Sequence, residues 1–315
     1  MLRAILGLLA LALVVVTLLP LRDSGAWWIR GWEFPRLHIF ALAVVIGVVA
    51  AVVLTGTWRG AIVLSMVAVI GWQGSWLWRY LPGMPVAVPQ VAGEGGVGIM
   101  ALNVLQENED HDAVRALIRE EDPDVLLLME VDQVWADALS EELARYDTRR
   151  EEIRDDHYGM IFATRVPVES AELRQLEGTD VPIATAVLTT SDGPLLVTGL
   201  HPRPPVPGNS TDDRDRQLAA MATLMRRVDM PAVAVGDFND VPFSRRGSRL
   251  REAGGLKDTR EGRGLMTTFD VTHPILRFPI DQALVTEDVI LHDKRLGPEV
   301  GSDHLPLLLR VRAGP

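Results

Sequence analysis

The stretch VAVGDFNDVP, residues 233–242, decides the fold. Small and β-branched apolar residues run unbroken from Ala232 to Val235, as in a strand buried on both faces. The run meets Gly236 and then delivers Asp237, Asn239 and Asp240 at its tip. Rigid strands hold functional groups more accurately than loops do, so the next question is whether other strands end this way. The apolar run 98–103 ends on Asn103, 124–129 ends before Glu130, and 195–200 ends before His201. The run 280–285 carries Asp281 near its start, and 305–311 follows Asp303 and His304. Further strands are predicted at 159–163 and 183–189, and helical spacing at 112–121, 134–146 and 213–227. Strands alternating with helices predict a mixed α/β layered fold.

Oxygen ligands in this number suit a hard cation such as Mg²⁺, and two histidines beside acids suit proton transfer or charge stabilisation. Each residue alone also fits a plainer role. An Asp after a strand forms turns or caps helices, Glu130 could be an acid favoured at a helix start, and His201 could be a loop histidine before Pro202. Acid runs such as 120–122 and 151–152 read as solvated faces. The functional reading rests on the joint arrangement.

The N-terminal part has a different texture. Three apolar runs, about 4–20, 37–56 and 61–81, each approach the ~20 residues that cross a bilayer core. None has a polar face that would suit a buried helix of a soluble fold. A cleaved signal peptide is the alternative for the first run, but no small-residue cleavage site is evident near residues 18–24. Trp27, Trp28 and Trp32, with Arg30 and Arg36, suit the headgroup layer. Residues 1–81 are therefore expected to form the transmembrane region, 82–96 a Pro/Gly-rich linker, and 97–315 the catalytic domain. The side on which that domain lies stays open: Arg22, Arg30, Arg36 and Arg79 favour the cytoplasm, whereas the short basic tail before a signal-like first run favours the outside. Cysteine is absent, which excludes disulfides and thiolate chemistry. Only Lys257 and Lys294 are lysines, an Arg bias that reads as a GC-rich bacterial genome. The expected location is the bacterial plasma membrane, as a multi-pass protein.

The motifs ALNV with Asn103, PDVLLLME with Glu130, GLHPRPP with His201, VGDFND with Asp237 and Asn239, PIDQALV with Asp281, and GSDHLPL with Asp303 and His304 occur in that order. This series resembles the endonuclease/exonuclease/phosphatase superfamily, the DNase I-like fold, over roughly residues 97–312. The resemblance implies a four-layer α/β sandwich, preceded here by three transmembrane helices. It also implies Mg²⁺, with Mn²⁺ as a substitute, held by Glu130 with Asn103 and Asp303 close by. Asp237 would orient or deprotonate the attacking water, and Asn239 would hold the phosphate. His304, paired with Asp281, would stabilise the phosphoryl oxygens, and His201 would bind phosphate or assist the leaving group. Gln282 stands where relatives often have His or Tyr, which would alter the site rim. Arg214 is a candidate phosphate ligand with a helix-surface arginine as the alternative, Gln217 sits near it, and Arg277 is a weaker candidate.

The superfamily covers several phosphate esters. Residues 1–90 carry a net charge of +4 and the remainder −15, so the catalytic domain lacks the basic balance of nucleic-acid binders. The expected partners are the lipid bilayer and a phosphate ester, lipid-linked or small, with nucleic acid less favoured. A membrane-tethered nuclease is the alternative activity, and a non-catalytic binding protein on the same fold is the alternative of another class.

Overall fold

The computed structural model describes residues 1–93, 95–175, 179–207 and 210–314. Glu94 of the predicted linker, and residues 176–178, 208–209 and 315 of the predicted catalytic domain, lie outside the described residues. Helix α1 covers Leu2–Leu18, and Pro20 tightens its end into a 3₁₀ turn at Leu19–Leu21. A short helix α2, Trp27–Arg30, precedes α3, Arg36–Val53, and α4, Gly56–Leu77. The second helix thus ends earlier and the third begins earlier than the apolar runs predict. Gly56, at φ +65°, takes the left-handed conformation that lets the chain reverse between them. Three segments, Leu2–Leu21, Arg36–Val53 and Gly56–Tyr80, are long and apolar enough to cross a membrane. Ala43 and Ala50 of α3 are fully buried, and Gly47 lies against Met66 of α4, so small residues let the helices approach closely. Leu8, Val48, Val52 and Leu64 are exposed on the outside of the bundle, which suits hydrocarbon.

The rest of the chain builds two sheets. Strands and helices follow in the order β1 (Val97–Asn103), α5 (His111–Glu121), β2 (Val125–Met129), α6 (Gln133–Ala138), α7 (Ser140–Leu143), β3 (Thr148–Glu152), β4 (Met160–Thr164), β5 (Val168–Gln175), β6 (Pro182–Thr190) and β7 (Gly193–Leu200). Then come α8 (Asp212–Arg227), β8 (Ala232–Asp237), α9 (Arg245–Gly254), β9 (Lys257–Asp258), β10 (Asp281–Val285), β11 (Val289–Leu296) and β12 (Leu307–Ala313). One sheet has the order β11-β12-β1-β2-β4-β3, the other β5-β6-β7-β8-β10-β9. The pairs β1/β2 and β7/β8 are parallel, with α5 and α8 in their connections.

The inner faces interdigitate through Ile99, Leu127, Phe162, Val197, Val233 and Ala283. The outer face of the first sheet is covered by α5 and α6 through Leu117, Ile118 and Trp135, and that of the second by α8 and α9 through Leu218, Met221 and Leu250. Helix, sheet, sheet and helix make the four layers that the motifs imply. Because β1 and β2 run together and β12 runs against them, Asn103, Glu130 and the Asp303–His304 turn reach one end of the sandwich. In the other sheet Asp281 sits directly opposite Asp237 across the β8/β10 pair, and His201 follows β7 at the same end.

The helical bundle is docked onto this end. Leu77 and Tyr80 lie with Val241, Phe243 and Ile280, and Phe34, Phe40 and Trp76 join Phe269 and Phe278 around them. A buried polar chain runs beside this contact. Thr17 accepts from Gln73 at 3.0 Å, Gln73 accepts from Arg36 at 2.9 Å, and Glu33 accepts from both Arg36 at 3.2 Å and the Arg245 N–H at 2.8 Å. These bonds satisfy groups whose burial would otherwise be costly. The predicted linker runs along the catalytic domain: Val88 is buried in the inter-sheet core, and the Val91 N–H donates to the Leu291 carbonyl at 2.9 Å.

Candidate active site

Asp237, Asp281 and His304 form the buried centre. Asp281 Oδ2 lies 2.8 Å from His304 Nδ1, and Asp237 Oδ2 lies 3.7 Å from His304 Nε2. His201 Nε2 lies 3.6 Å from Asp237 Oδ2 and 3.8 Å from Glu130 Oε1. Glu130 Oε1 accepts from Asn103 Nδ2 at 2.7 Å, and Asn103 Oδ1 accepts from the Leu105 N–H at 3.0 Å. The Asn239 N–H donates to Asp237 Oδ1 at 2.8 Å, which fixes the Asp237 carboxylate. All eight residues read from the motifs meet at this one end of the sandwich. Beside them opens a cavity of about 340 Å³, lined by Glu130, His201, Asp237, Asn239, Asp303 and His304 among others.

The electrostatics separate the two histidines. Burial pushes His201 down to about 4, so it is a neutral imidazole near neutral pH. Burial opposes a charge on His304 too, but the Asp281 charge and hydrogen bond, joined by Asp237 and Asp303, override it and lift His304 to about 10. Burial, reinforced by the charges of Asp281 and Glu130, lifts Asp237 to about 7 against the pull of His304. Burial likewise raises Asp303, whose Oδ1 is buried without a hydrogen-bond partner among the described residues. Perturbed acids and bases gathered in one cleft are the electrostatic mark of a reaction centre.

Backbone strain gathers at the same place. Six described non-glycine residues have clearly positive φ, and four of them, Leu105, Glu130, His157 and Asn239, line the cleft. Left-handed backbone costs ~1–3 kcal/mol per residue and persists where the fold needs a side chain aimed in one direction. Gly236 supports this geometry. At φ +136°, a Cβ there would stand 2.2 Å from the Leu200 carbonyl oxygen.

Oxygen donors dominate the candidate metal sites, as a hard divalent cation requires. Asp237, Asp281 and His304 form one grouping close enough to share an ion; Glu107, Glu130 and His157 form another. The unpartnered Asp303 oxygen is an additional acceptor on a residue that lines the cleft.

Four expected residues sit elsewhere. Arg214 is buried behind the cleft: Nη1 donates to the Asn239 carbonyl at 2.9 Å, and Nε and Nη2 reach Asp215 at 3.3 and 3.1 Å. It braces the Asn239 turn and has no surface left for a phosphate. Gln282 was expected at the rim but points away from it, because its neighbour Asp281 takes the site side of the strand. Its Nε2 donates to the Asp240 carbonyl at 2.6 Å, and its Oε1 accepts from Arg260 at 2.9 Å. Arg277 donates to the Val271 and His273 carbonyls outside the cleft, and Gln217 donates to the Val181 carbonyl. Sequence reading missed Glu107, His157, Tyr158 and Phe269, which line the cavity or border the ligands. Phe269 lies 4.7 Å from the His304 ring, Tyr158 lies 5.5 Å from His201, and Arg203 stands over the Tyr158 ring at 4.4 Å. They belong to loops, and the turn residues DDHYG at 155–159 were the only local signal.

Residues 100–304 match the endonuclease/exonuclease/phosphatase family. The chain belongs to that family. By membership it is a metal-dependent hydrolase of phosphoester bonds. No curated protein sequence matches it. Among solved structures, the family member's fold is similar to that of D. rerio TDP2 complexed with single strand DNA product, with a TM-score of 0.59 at 17% identity over 70% of this chain and 100% of that one. It is also similar to endonuclease/exonuclease/phosphatase proteins from Beutenbergia cavernae (TM-score 0.55, 20% identity, 70% and 72% covered) and Bacteroides vulgatus (0.56, 17%, 70% and 100%). At these identities the likeness bears on the fold.

Proposed function

We propose that this family member hydrolyses a lipid-linked phosphate ester at the surface of a bacterial plasma membrane, with Mg²⁺ as its cation. The observation that supports this reading most is the docking of the span-length helices against the site end of the sandwich, where Phe278 meets Phe34 at 5.7 Å. A catalytic centre fixed there meets phosphates presented by lipid. The net negative charge of residues 91–315 weighs against an extended polyanion.

Asn103, Glu130 and Asp303 would hold the cation, which supplies positive charge for the phosphoryl oxygens. Asp237, fixed by the Asn239 N–H, orients the attacking water and accepts its proton; an acid lifted to about 7 is matched to that task. The new P–O bond forms to this water as the opposite P–O ester bond breaks, and the ester oxygen leaves with the bonding pair. His304, kept cationic by Asp281, stabilises the charge gathering on the phosphoryl oxygens. His201 offers a neutral imidazole to the phosphate, and the second hydrogen of the Asn239 amide, whose first is given to the Pro202 carbonyl at 2.8 Å, offers another donor.

The alternative is a nuclease, favoured by the single strand DNA product bound to D. rerio TDP2. The detergent-solubilised protein should be offered a polyisoprenyl phosphate, a phosphoinositide and a phospholipid with Mg²⁺, beside a supercoiled plasmid, with Asp237→Asn as control. Lipid phosphate release without nicking supports the proposal. Nicking without lipid turnover would replace it with the nuclease.

A further inference from the structure

The cleft has two apolar lips, and both are tied to the segment that marks the membrane boundary. One lip is the loop 270–278, which leaves the site at Phe269 and returns at Phe278. At its tip Ile275 is 72% exposed and Leu276 50% exposed, so two large aliphatic side chains stand in the open side by side. The Ile275 carbonyl accepts from His38 Nε2 at 2.9 Å, and His38 lies in the first turn of α3. Phe278 closes the loop against Phe34 and the His38 ring. The tip therefore sits at the depth where a span-length apolar helix begins.

The other lip is the segment Pro204–Val206. Both residues line the cavity, and Val206 is 41% exposed. Its continuation is bound to the connector between the first two helices: Ser210 bridges Ala26, and the Thr211 N–H donates to the Gly25 carbonyl at 3.0 Å. Trp27 and Trp28 follow at once and are exposed, at the level where amphipathic rings settle in the headgroup layer. Isolated exposed aliphatics need no explanation. Here, however, Val206 lines the cleft, Ile275 and Leu276 lie on the loop that starts at the cleft-lining Phe269, and Ile275 and Thr211 tie the two segments by hydrogen bonds to the start and the connector of the membrane helices.

We propose that the Ile275–Leu276 tip, together with Val206 at the cleft, is immersed in the headgroup and upper acyl layer of the bilayer, so that a phosphate ester enters the site directly from the lipid surface. This deepens the proposed lipid substrate and rests on it for the entry step, whereas the immersion itself does not. Apolar residues at an interface gain by leaving water, while His273 and Arg277 on the same loop keep their polar ends at headgroup level.

The absence of cysteine makes the test clean. Ile275→Cys and, as a reference, Glu141→Cys on the exposed surface of α7 each receive an environment-sensitive fluorophore in the full chain reconstituted into phosphatidylglycerol/phosphatidylcholine vesicles. The label at 275 should be quenched by lipids carrying a shallow nitroxide and shielded from aqueous iodide; the label at 141 should behave oppositely. Equal iodide access at both positions overturns immersion. Separately, the double variant Ile275→Ser/Leu276→Ser should lose about ten-fold in kcat/KM, through KM, on the lipid phosphate that the parent hydrolyses in vesicles. It should retain its rate on soluble para-nitrophenyl phosphate. Unchanged vesicle turnover with a shielded label would overturn the entry role. A parent with no lipid turnover would instead remove the proposed function, with the labels still deciding immersion.

Discussion

Replacing Asp281 by Asn removes the charge 2.8 Å from His304 Nδ1 but keeps an oxygen that can accept its hydrogen bond. The two site histidines form an internal comparison. Both are 3% exposed and bear similar desolvation, yet His201 is driven down to about 4 and His304 up to about 10. Unit charges 2.8 Å apart attract by about 6 kcal/mol at an effective dielectric of about 20, or about four decades of proton affinity. Asp237 and Asp303 add to this pull. Without the Asp281 charge, His304 should therefore titrate below the ordinary histidine value and be neutral at pH 7.5. An NMR titration of the imidazole carbons in the metal-free protein reads this directly. In the holoenzyme kcat/KM should fall by about 10²–10³ at pH 7.5, as for loss of one preorganised electrostatic partner. Its alkaline limb should move several pH units toward acid. The sign for stability follows: His304 gains affinity for its proton on folding, so its contribution is complete below about pH 6.5 and is lost as pH rises through about 10. An unchanged imidazole titration in Asp281→Asn would refute the pairing, and an unchanged alkaline limb would refute a cationic His304 in the reaction.

Glu130→Gln should keep the fold but raise the Mg²⁺ concentration needed for half-maximal activity by about 10–100-fold, measured by metal titration of turnover. Gly236→Ala should lower the urea midpoint by an amount equal to about 2–4 kcal/mol, because the new Cβ meets the Leu200 carbonyl oxygen at 2.2 Å on a backbone at φ +136°. Burial would raise Asp258, but the charges of Arg260 and Lys294 hold it down to about 2, so its stabilisation is present above about pH 4 and is lost as pH falls through 2. Asp258→Asn leaves the buried Arg260 guanidinium without the carboxylate 3.0 Å away and should cost about 3–5 kcal/mol in chemical denaturation, while parent-like stability would show the pair to be dispensable.

The chain announces its central strands and the residues at their tips. Val125–Met129 and the 232–235 part of β8 are unbroken apolar runs because both faces of these strands are covered, one by the opposite sheet and one by helices. Periodicity is silent where one face meets water or the strand lies at an edge. Thr148–Glu152 and Val168–Gln175 carry mostly charged and polar residues, and their strand form comes from the hydrogen bonds of β4 and β6 beside them. The predicted helix 134–146 is broken at Leu139, where the chain turns so that Trp135 and Leu143 can both reach the same core. Spacing could identify Asp281 and His304 as members of one motif series but could not say that a 2.8 Å contact joins them, since they come from different sheets.

By itself the sequence determined the three apolar segments, the alternation of strands and helices, and the series of acids, amides and histidines at strand ends, because each is a local pattern. Tertiary structure decided what those patterns meet. It turned Arg214 and Gln282 inward as braces, since a guanidinium or amide is directed by whichever unsatisfied carbonyl the fold brings near. It brought His157 and Phe269 into the cleft from loops that carry no periodicity. And it set the mouth of the site against the first turn of α3, a relation between residues 38 and 275 that depends on how the whole sandwich docks on the helices.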